Sequence, residues 1–270
     1  QKNGNRLKSF QELEFTDDFM FCKVLTNNPD LCKVIIETCI SSRIGNISYI
    51  HAQESIKAGR EEHGVRLDVY VEDDENQSFD LDMESRYRGF YPERTRYYLG
   101  MIDRRTFRQG MDYSRLKDNY VIFFLPSNPF PEEDLHRYTF VSRCREQSEL
   151  ELGDRWTRIF LCPGDSYEDI PKDLARLLEY IRTGVPTDEL TNRIEEEVEK
   201  ARMRDDWEDD YIIWYNTVQD YKNEGREEGQ AMMIRRLFDN GMPAEEIARY
   251  NEMPLDEVMK IIEEAPTKTN

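Results

Sequence analysis

Two runs of alternating apolar and polar residues stand close together in the first third of the chain. Apolar residues occupy the odd positions from 65 to 71 and from 79 to 83, and most of the even positions between them are polar. Five turn-forming residues, 73–77, separate the two runs. Alternation on both sides of a short polar loop predicts a β-hairpin.

Other apolar patterns place this hairpin inside an α/β core. Residues 1–15 suggest a polar lead-in, and the continuous apolar run 120–125 is typical of a strand that is buried on both faces. The remaining predicted elements are helices at 18–25, 29–40, 92–108 and 167–182, and short strands at 47–50, 138–141 and 158–161.

The last third of the chain is predicted to be helical throughout. A charged helix starts near Pro186, and a glycine-containing linker at 223–230 leads to three short helices. We therefore predict an α/β core over 10–185 and a helical extension over 186–270, with a small three-helix segment at 226–265. That segment could mediate homodimerisation, or it could read DNA as a helix-turn-helix does.

The hairpin brings acidic residues into opposition. With a loop at 73–77, the predicted cross-strand pairs are Glu72–Ser78, Tyr70–Asp80, Asp68–Asp82 and Arg66–Glu84. Directly opposed residues have Cβ atoms ~5 Å apart, so two ionised carboxylates there repel each other and require a shared proton, a bound cation or a neighbouring arginine. The alternative is an ordinary polar outer face, with Arg66 paired to Glu84 and Asp68 in solvent.

Composition excludes several other kinds of site. Five cysteines without a CxxC motif and three histidines without ligand spacing argue against a disulfide scaffold and a zinc centre. No apolar stretch approaches the length of a membrane span, so we expect a cytoplasmic protein without a membrane partner. The net charge of −19 argues against nucleic-acid binding over the whole surface.

One segment has the opposite charge. Residues 86–117 contain nine arginines and lysines against three acidic residues, interspersed with aromatic residues. Eleven residues make about three helical turns, so Arg94, Arg105 and Arg108 are predicted to share one stripe of a helix. The candidate phosphate-binding residues are Arg86, Arg88, Arg94, Arg96, Arg105 and Arg108. The alternative is a solvated arginine face paired with acidic residues elsewhere.

These residues together resemble the PD-(D/E)XK nuclease superfamily, and more closely its recombination-promoting nuclease branch, often labelled PD-(D/E)XK family transposase. The similarity rests on several runs in order along the chain: 16–21 (TDDFMF), 66–69 (RLDV), 79–84 (FDLDME), 94–98 (RTRYY), 110–116 (GMDY and Leu116), 120–130 (YVIFFLPSNPF) and 224–230 (EGREEGQ).

The resemblance implies a restriction-endonuclease-like α/β core, with a mixed β-sheet flanked by helices, that cleaves DNA with Mg²⁺ or with Mn²⁺ as a substitute. It implies a role in recombination, mobile elements or phage defence. Asp68 and Asp82 match the two metal-binding acids, and Asp18 matches an acidic position in the first helix. Arg66 and Asp80 are expected to support them.

The third site position departs from the family pattern. Glu84 stands where the superfamily has lysine and this branch often has glutamine. A glutamate could accept a proton as a base or act as a third metal ligand. It could also mark an inactive nuclease fold that serves as a nucleic-acid-binding or assembly module.

Overall fold

The computed structural model describes residues 8–56 and 65–264. Within this part of the chain, six strands form one sheet and eight α-helices surround or follow it. The strands are β1 (Ile47–Ile56), β2 (Val65–Asp73), β3 (Gln77–Met83), β4 (Asp118–Phe124), β5 (Arg137–Phe140) and β6 (Trp156–Leu161). The helices are α1 (Asp18–Asn27), α2 (Pro29–Ile40), α3 (Tyr91–Thr106), α4 (Lys172–Thr183), α5 (Glu189–Arg202), α6 (Asp205–Asp239), α7 (Ala244–Tyr250) and α8 (Leu255–Glu263).

The sheet is mixed, as the family resemblance implies. Its strand order is β1-β2-β3-β4-β6-β5, in which β3, β4 and β6 run parallel and the other neighbours are antiparallel. The hairpin register is confirmed where the strands pair, with Tyr70 opposite Asp80 and Glu72 opposite Ser78. The turn is shorter than predicted because the Asp73 carboxylate accepts hydrogen bonds from the backbone N–H groups of Glu75 and Gln77.

Helices cover both faces of the sheet. Successive strand residues point to opposite faces, so Phe123 and Phe124 of β4 show which helix covers which face. Phe123 contacts Tyr91 of α3, with ring centroids 5.9 Å apart, and Phe124 contacts Phe21 of α1 at 6.1 Å. Asp82 is paired with Phe123 in the parallel register and therefore faces α3. The alternative of an ordinary polar outer face is wrong, because α3 covers that face.

The region before α1 belongs to the core. Phe10, Leu13 and Phe15 are buried, and the Arg202 guanidinium donates to the Leu13 carbonyl oxygen at 2.7 and 2.9 Å. The polar lead-in is therefore wrong for the residues described, and the first seven residues lie outside them. Because α5 packs on α1, α2 and α4, the first compact unit extends to Trp207, beyond the boundary at 185 expected from the sequence.

The second compact unit begins at Glu208 and holds its own small core. Buried apolar side chains of α6, α7 and α8 meet there: Ile234, Ala244, Ile247, Ala248 and Val258. Residue 265 of the predicted three-helix segment lies outside the described residues. Although α6 is 35 residues long, neither it nor another helix in the described ranges is apolar enough to span a membrane.

The predicted linker at 223–230 is wrong, because α6 passes through it without interruption. Glycine costs a helix up to ~1 kcal/mol relative to alanine, which explains why Gly225 and Gly229 suggested a break. The glutamate, arginine and glutamine residues between and beside them have high helix propensity and offset part of that cost.

We expect Gly225→Ala and Gly229→Ala each to stabilise the C-terminal helices by about 0.5–1 kcal/mol, because open space surrounds both positions. Thermal unfolding followed by far-ultraviolet circular dichroism measures this. Gly153→Ala is the control and should destabilise the protein, because Gly153 has φ +70°. Unchanged helicity and stability in both helix variants would contradict a continuous α6.

Candidate active site

Asp68 and Asp82 lie side by side where the regular pairing of β2 with β3 ends at Val69 and Leu81. The Asp68 backbone N–H donates to Asp82 Oδ1 at 3.2 Å, and the Met83 backbone N–H donates to Asp68 Oδ2 at 3.2 Å. Each carboxylate thus accepts a hydrogen bond from the opposite strand. The two acids are held next to each other by backbone groups of the hairpin itself.

The acidic residues of β3 and just after it are buried beneath α3. Asp80, Asp82 and Glu84 are 0%, 3% and 7% exposed. Burial raises the pKa of Asp82 well above its usual range, and the negative charges of Asp80 and Asp68 add to that rise. Burial and the charge of Asp68 likewise raise the pKa of Asp80, whose two oxygens accept no hydrogen bond within the described residues. We call Asp80, Asp82 and Glu84, with the neighbouring Asp68, the acidic row. Ionising Asp80 and Asp82 together with Asp68 is costly, because their negative charges repel each other in a buried place.

Asp68 is the acid whose ionisation falls near neutral pH. Burial, followed by the negative charge of Asp18, raises the pKa of Asp68 to about 7, although the Met83 N–H and Arg66 oppose the rise. Asp18 lies in the first turn of α1, and burial raises its pKa as well. On the same helix, Cys22 Sγ donates to the Asp68 carbonyl oxygen at 3.3 Å. Helix α1 therefore supplies both an acid and a support for β2.

Glu84 forms ion pairs with two arginines, neither of which is the predicted partner Arg66. Its Oε1 accepts a hydrogen bond from Arg94, and its Oε2 lies 3.0 Å from Arg88 Nε. A second nitrogen of the Arg94 guanidinium lies 3.9 Å from Asp82 Oδ2. Glu84 is therefore paired with two guanidinium groups, and Arg94 places a positive charge beside Asp82.

Aromatic rings hold the Arg94 guanidinium in place. It lies 5.1–5.7 Å from the ring centroids of Tyr91, Tyr98 and Phe123, and it donates to the Tyr98 hydroxyl at 3.2 Å. Cation–π contacts of this kind are worth ~0.5–2 kcal/mol each, and more when water is excluded. The position of Arg94 is thus set by α3 and by β4.

The other predicted phosphate-binding arginines are dispersed. Arg88 is half exposed, while Arg86, Arg96 and Arg108 are exposed. Arg105 lies over the rings of Tyr49 and Tyr70 at 5.0 and 4.5 Å, away from Arg94 along α3. The predicted stripe of three arginines is wrong for Arg108, because α3 ends at Thr106. Arg94 and Arg105 do share one side of α3, the side that packs towards the sheet.

The donor set fits a divalent cation held by few protein ligands. Mg²⁺ usually keeps several waters and is bound through one or two carboxylates together with substrate phosphates. Asp68 and Asp82 can supply two such carboxylates. Across 8–56 and 65–264, no group of three or more His, Cys, Asp or Glu side chains is arranged to hold a metal ion. A metal held here would therefore need water and phosphate to complete the ligands that the two aspartates could offer.

Sequence reasoning missed the pairing of Arg94 with Glu84, the support from Cys22 and the complete burial of Asp80. Only one of these had a sequence signal. Pro92 at the start of α3 places Arg94 in the first helical turn, soon after Glu84 in the chain. The other two depend on how α1 and α3 pack against the sheet.

Comparison with known proteins gives one match. Residues 16–161 match the family model described as PD-(D/E)XK nuclease family transposase. The matched region begins just before α1 and ends with β6, so it includes the acidic hairpin, α3 and the central strand. Searches of curated proteins and of solved structures returned no significant match.

We expect the metal-free protein to lose stability as the pH rises from 5 to 8. The folded state keeps a proton on Asp68 up to about pH 7, whereas the unfolded state releases it near pH 4, so rising pH favours unfolding through this window. The Asp68→Asn variant should show a weaker pH dependence and should be more stable than the parent at pH 8 by about 1–3 kcal/mol.

Urea unfolding in the presence of a chelator measures these differences. Glu75→Gln, in the exposed turn of the hairpin, is the control and should follow the parent curve. A parent protein that gains stability between pH 5 and 8 would show that the acidic row does not dominate the pH dependence.

Proposed function

The chain belongs to the PD-(D/E)XK nuclease family of transposases, and from this premise we propose that it is a metal-dependent DNA endonuclease that hydrolyses phosphodiester bonds. The observation that carries the proposal is the convergence of Asp68 and Asp82 at the end of the hairpin, inside the region that the family model matches. Two adjacent carboxylates with raised pKa values are poorly stable without a cation, which favours binding of one.

We infer that Asp68 and Asp82 bind Mg²⁺, with Mn²⁺ as a substitute. When bound, such an ion neutralises phosphate charge and lowers the pKa of water. With a pKa of about 7, the Asp68 carboxylate is available as a ligand at neutral pH and is lost by protonation below it. Asp18 and Asp80 add negative charge around the pair and so increase its preference for a cation.

Arg94 takes over the positive charge that a lysine would supply at position 84. Its guanidinium lies between Glu84 and Asp82, in a partly buried place where a charge acts strongly. Glu84 holds Arg94 and Arg88, so we assign it a positioning role rather than that of a base or a third ligand. Arg94 would then stabilise the charge that develops on the phosphate during cleavage.

Exposed arginines offer the contacts to the DNA backbone. Arg88 adjoins the acidic row, and Arg86, Arg96 and Arg108 lie further out on the surface. Contacts of this kind position a nucleic acid without reading its sequence. The family description supports a role in recombination or mobile-element movement, and the same chemistry would serve defence against phage.

We also infer where the protein acts and how it assembles. All five cysteines are free, which suits the reducing cytoplasm, where we expect it to act. The second compact unit exposes large apolar side chains, among them Met232, Met233 and Tyr250, which supports its use in forming a homodimer.

A nuclease fold that binds without cutting is the second candidate. It is favoured by the engagement of Glu84 with two arginines and by the small number of carboxylates that could reach one ion. Such a protein would act as a nucleic-acid-binding or assembly module. It would bind its partner equally well after loss of Asp68.

We expect the protein to cleave DNA only with Mg²⁺ or Mn²⁺, and Asp68→Ala to abolish cleavage because one of two metal ligands is lost. A gel assay across a divalent-metal series measures this. Glu75→Ala removes an exposed acid from the other end of the hairpin and should leave cleavage unchanged. Absence of cleavage by the parent with either metal, on single-stranded and duplex DNA, would favour the second candidate.

We expect Arg94→Gln to lower kcat by about 100-fold, because it removes a fixed positive charge from the site. Arg94→Lys should retain part of the activity. Arg96→Gln, which removes an exposed arginine of the same helix, is the matched control and should affect mainly KM. Circular dichroism establishes that each variant is folded, and equal kcat values for Arg94→Gln and Arg96→Gln would contradict the role of Arg94.

A further inference from the structure

The segment that links the acidic row to α3 is both basic and aromatic. Residues 85–90, called here the linking loop, have the sequence SRYRGF and follow Glu84 directly. Two of the residues are arginines and two are large aromatic residues. Both aromatic side chains are exposed, Tyr87 by 55% and Phe90 by 77%.

Phe90 has an unfavourable backbone conformation and an apolar side chain exposed to water. Its φ of 54° and ψ of 28° lie in the left-handed region, which is rare for a bulky residue and strains the backbone. Its ring is mostly in water, and within the described residues it makes no aromatic or cation–π contact. Neither packing nor backbone preference explains a phenylalanine here, so a binding role is the better explanation.

Hydrogen bonds and an ion pair hold the linking loop in place. The Arg88 backbone N–H donates to the hydroxyl of the buried Tyr91 at 2.9 Å, and the Arg94 N–H donates to the Phe90 carbonyl oxygen at 2.9 Å. The Tyr87 ring packs edge-on against Tyr91, with centroids 5.3 Å apart. The exposed rings are therefore presented from a fixed frame rather than from a free loop.

The same frame connects the linking loop to the proposed catalytic groups. Arg88 Nε lies 3.0 Å from Glu84 Oε2, and Glu84 accepts a hydrogen bond from Arg94. A phosphate drawn to Arg88 and Arg94 would thus have Phe90 and Tyr87 nearby. Positive charge interleaved with exposed aromatic rings is the arrangement that binds single strands, where the backbone meets the charge and the bases stack on the rings.

We propose that Phe90 stacks on an unpaired base next to the cleaved phosphodiester, so that the DNA substrate is single-stranded at the point of cleavage. This inference rests on the proposed nuclease function and specifies its substrate. In a duplex, both faces of an internal base are covered by its neighbours, so the Phe90 ring has no face to contact. A single strand, a flap or a frayed end offers that face at little cost.

Binding and cleavage are measured separately to test this proposal. Dissociation constants for a fluorescent single-stranded 20-mer and for the matching duplex are compared in the parent, Phe90→Ala, Phe90→Trp and Leu152→Ala, in the presence of a chelator. Leu152→Ala is the matched control because Leu152 is 73% exposed in the same compact unit. Because the parent already has three tryptophans, stacking is read from the quenching of Phe90→Trp fluorescence in excess of that of the parent. Cleavage of both DNAs is then assayed with Mg²⁺.

We expect Phe90→Ala to weaken single-strand binding about tenfold or more and to leave the weaker duplex binding unchanged. Phe90→Trp should bind at least as tightly as the parent, and a single strand should quench its tryptophan fluorescence. Leu152→Ala should match the parent. Equal effects of Phe90→Ala on single strand and duplex, or no effect on either, would overturn the proposal, as would failure of the parent to bind single-stranded DNA.

The two failures are distinguishable. Metal-dependent cleavage of duplex DNA that is unchanged in Phe90→Ala would refute the base-stacking role and leave the nuclease function intact. Single-strand binding that depends on Phe90, without cleavage under any metal, would refute the nuclease function and leave the stacking role intact.

Discussion

The ion pair between Arg94 and Glu84 is the interaction on which the arrangement of this site depends. It joins the first turn of α3 to the end of β3. The pair is partly buried, and its guanidinium lies among three aromatic rings. Helix α3 can cover an acidic face of the sheet because this arginine brings compensating charge with it. An uncompensated charge in such a place would be costly by several kcal/mol.

Even with Arg94 present, the acidic face is under-compensated. Asp80 lies completely buried, with no hydrogen bond to either oxygen among the described residues, and Asp82 beside it has a raised pKa. Native proteins tolerate such groups mainly at functional sites, where the cost is offset by a ligand. The acidic face thus carries more negative charge, when ionised, than the neighbouring side chains of the described residues compensate.

After Glu84, the chain changes from acidic to basic and aromatic within a few residues. The linking loop at 85–90 carries arginines and exposed aromatic rings, and α3 continues the basic segment. An acidic face is thereby placed beside a basic and aromatic edge, although the whole chain has a net charge of −19. The local sign of the charge, rather than the total, decides what this surface can bind.

The sequence by itself determined the hairpin, its register and the opposition of acidic residues across it. These features follow from a period of two and from a short polar turn, both of which act between near neighbours in the chain. The mixed sheet and its flanking helices were also predictable, because the apolar runs and the family motifs indicate them. The pattern of residues 66–84 is therefore sufficient to single out Asp68 and Asp82 as a pair.

Only the tertiary structure decided that the polar side of the hairpin is buried as well as the apolar side, and what neutralises it. Alternation shows that two faces differ, but it does not show that α3 covers the polar one. The choice of Arg94 rather than Arg66 as the partner of Glu84 arises from packing between elements, and so does the position of Arg105 over Tyr49 and Tyr70. The continuous α6 across 223–230 likewise escaped prediction, since helix propensity is summed over many residues and two glycines do not overrule it.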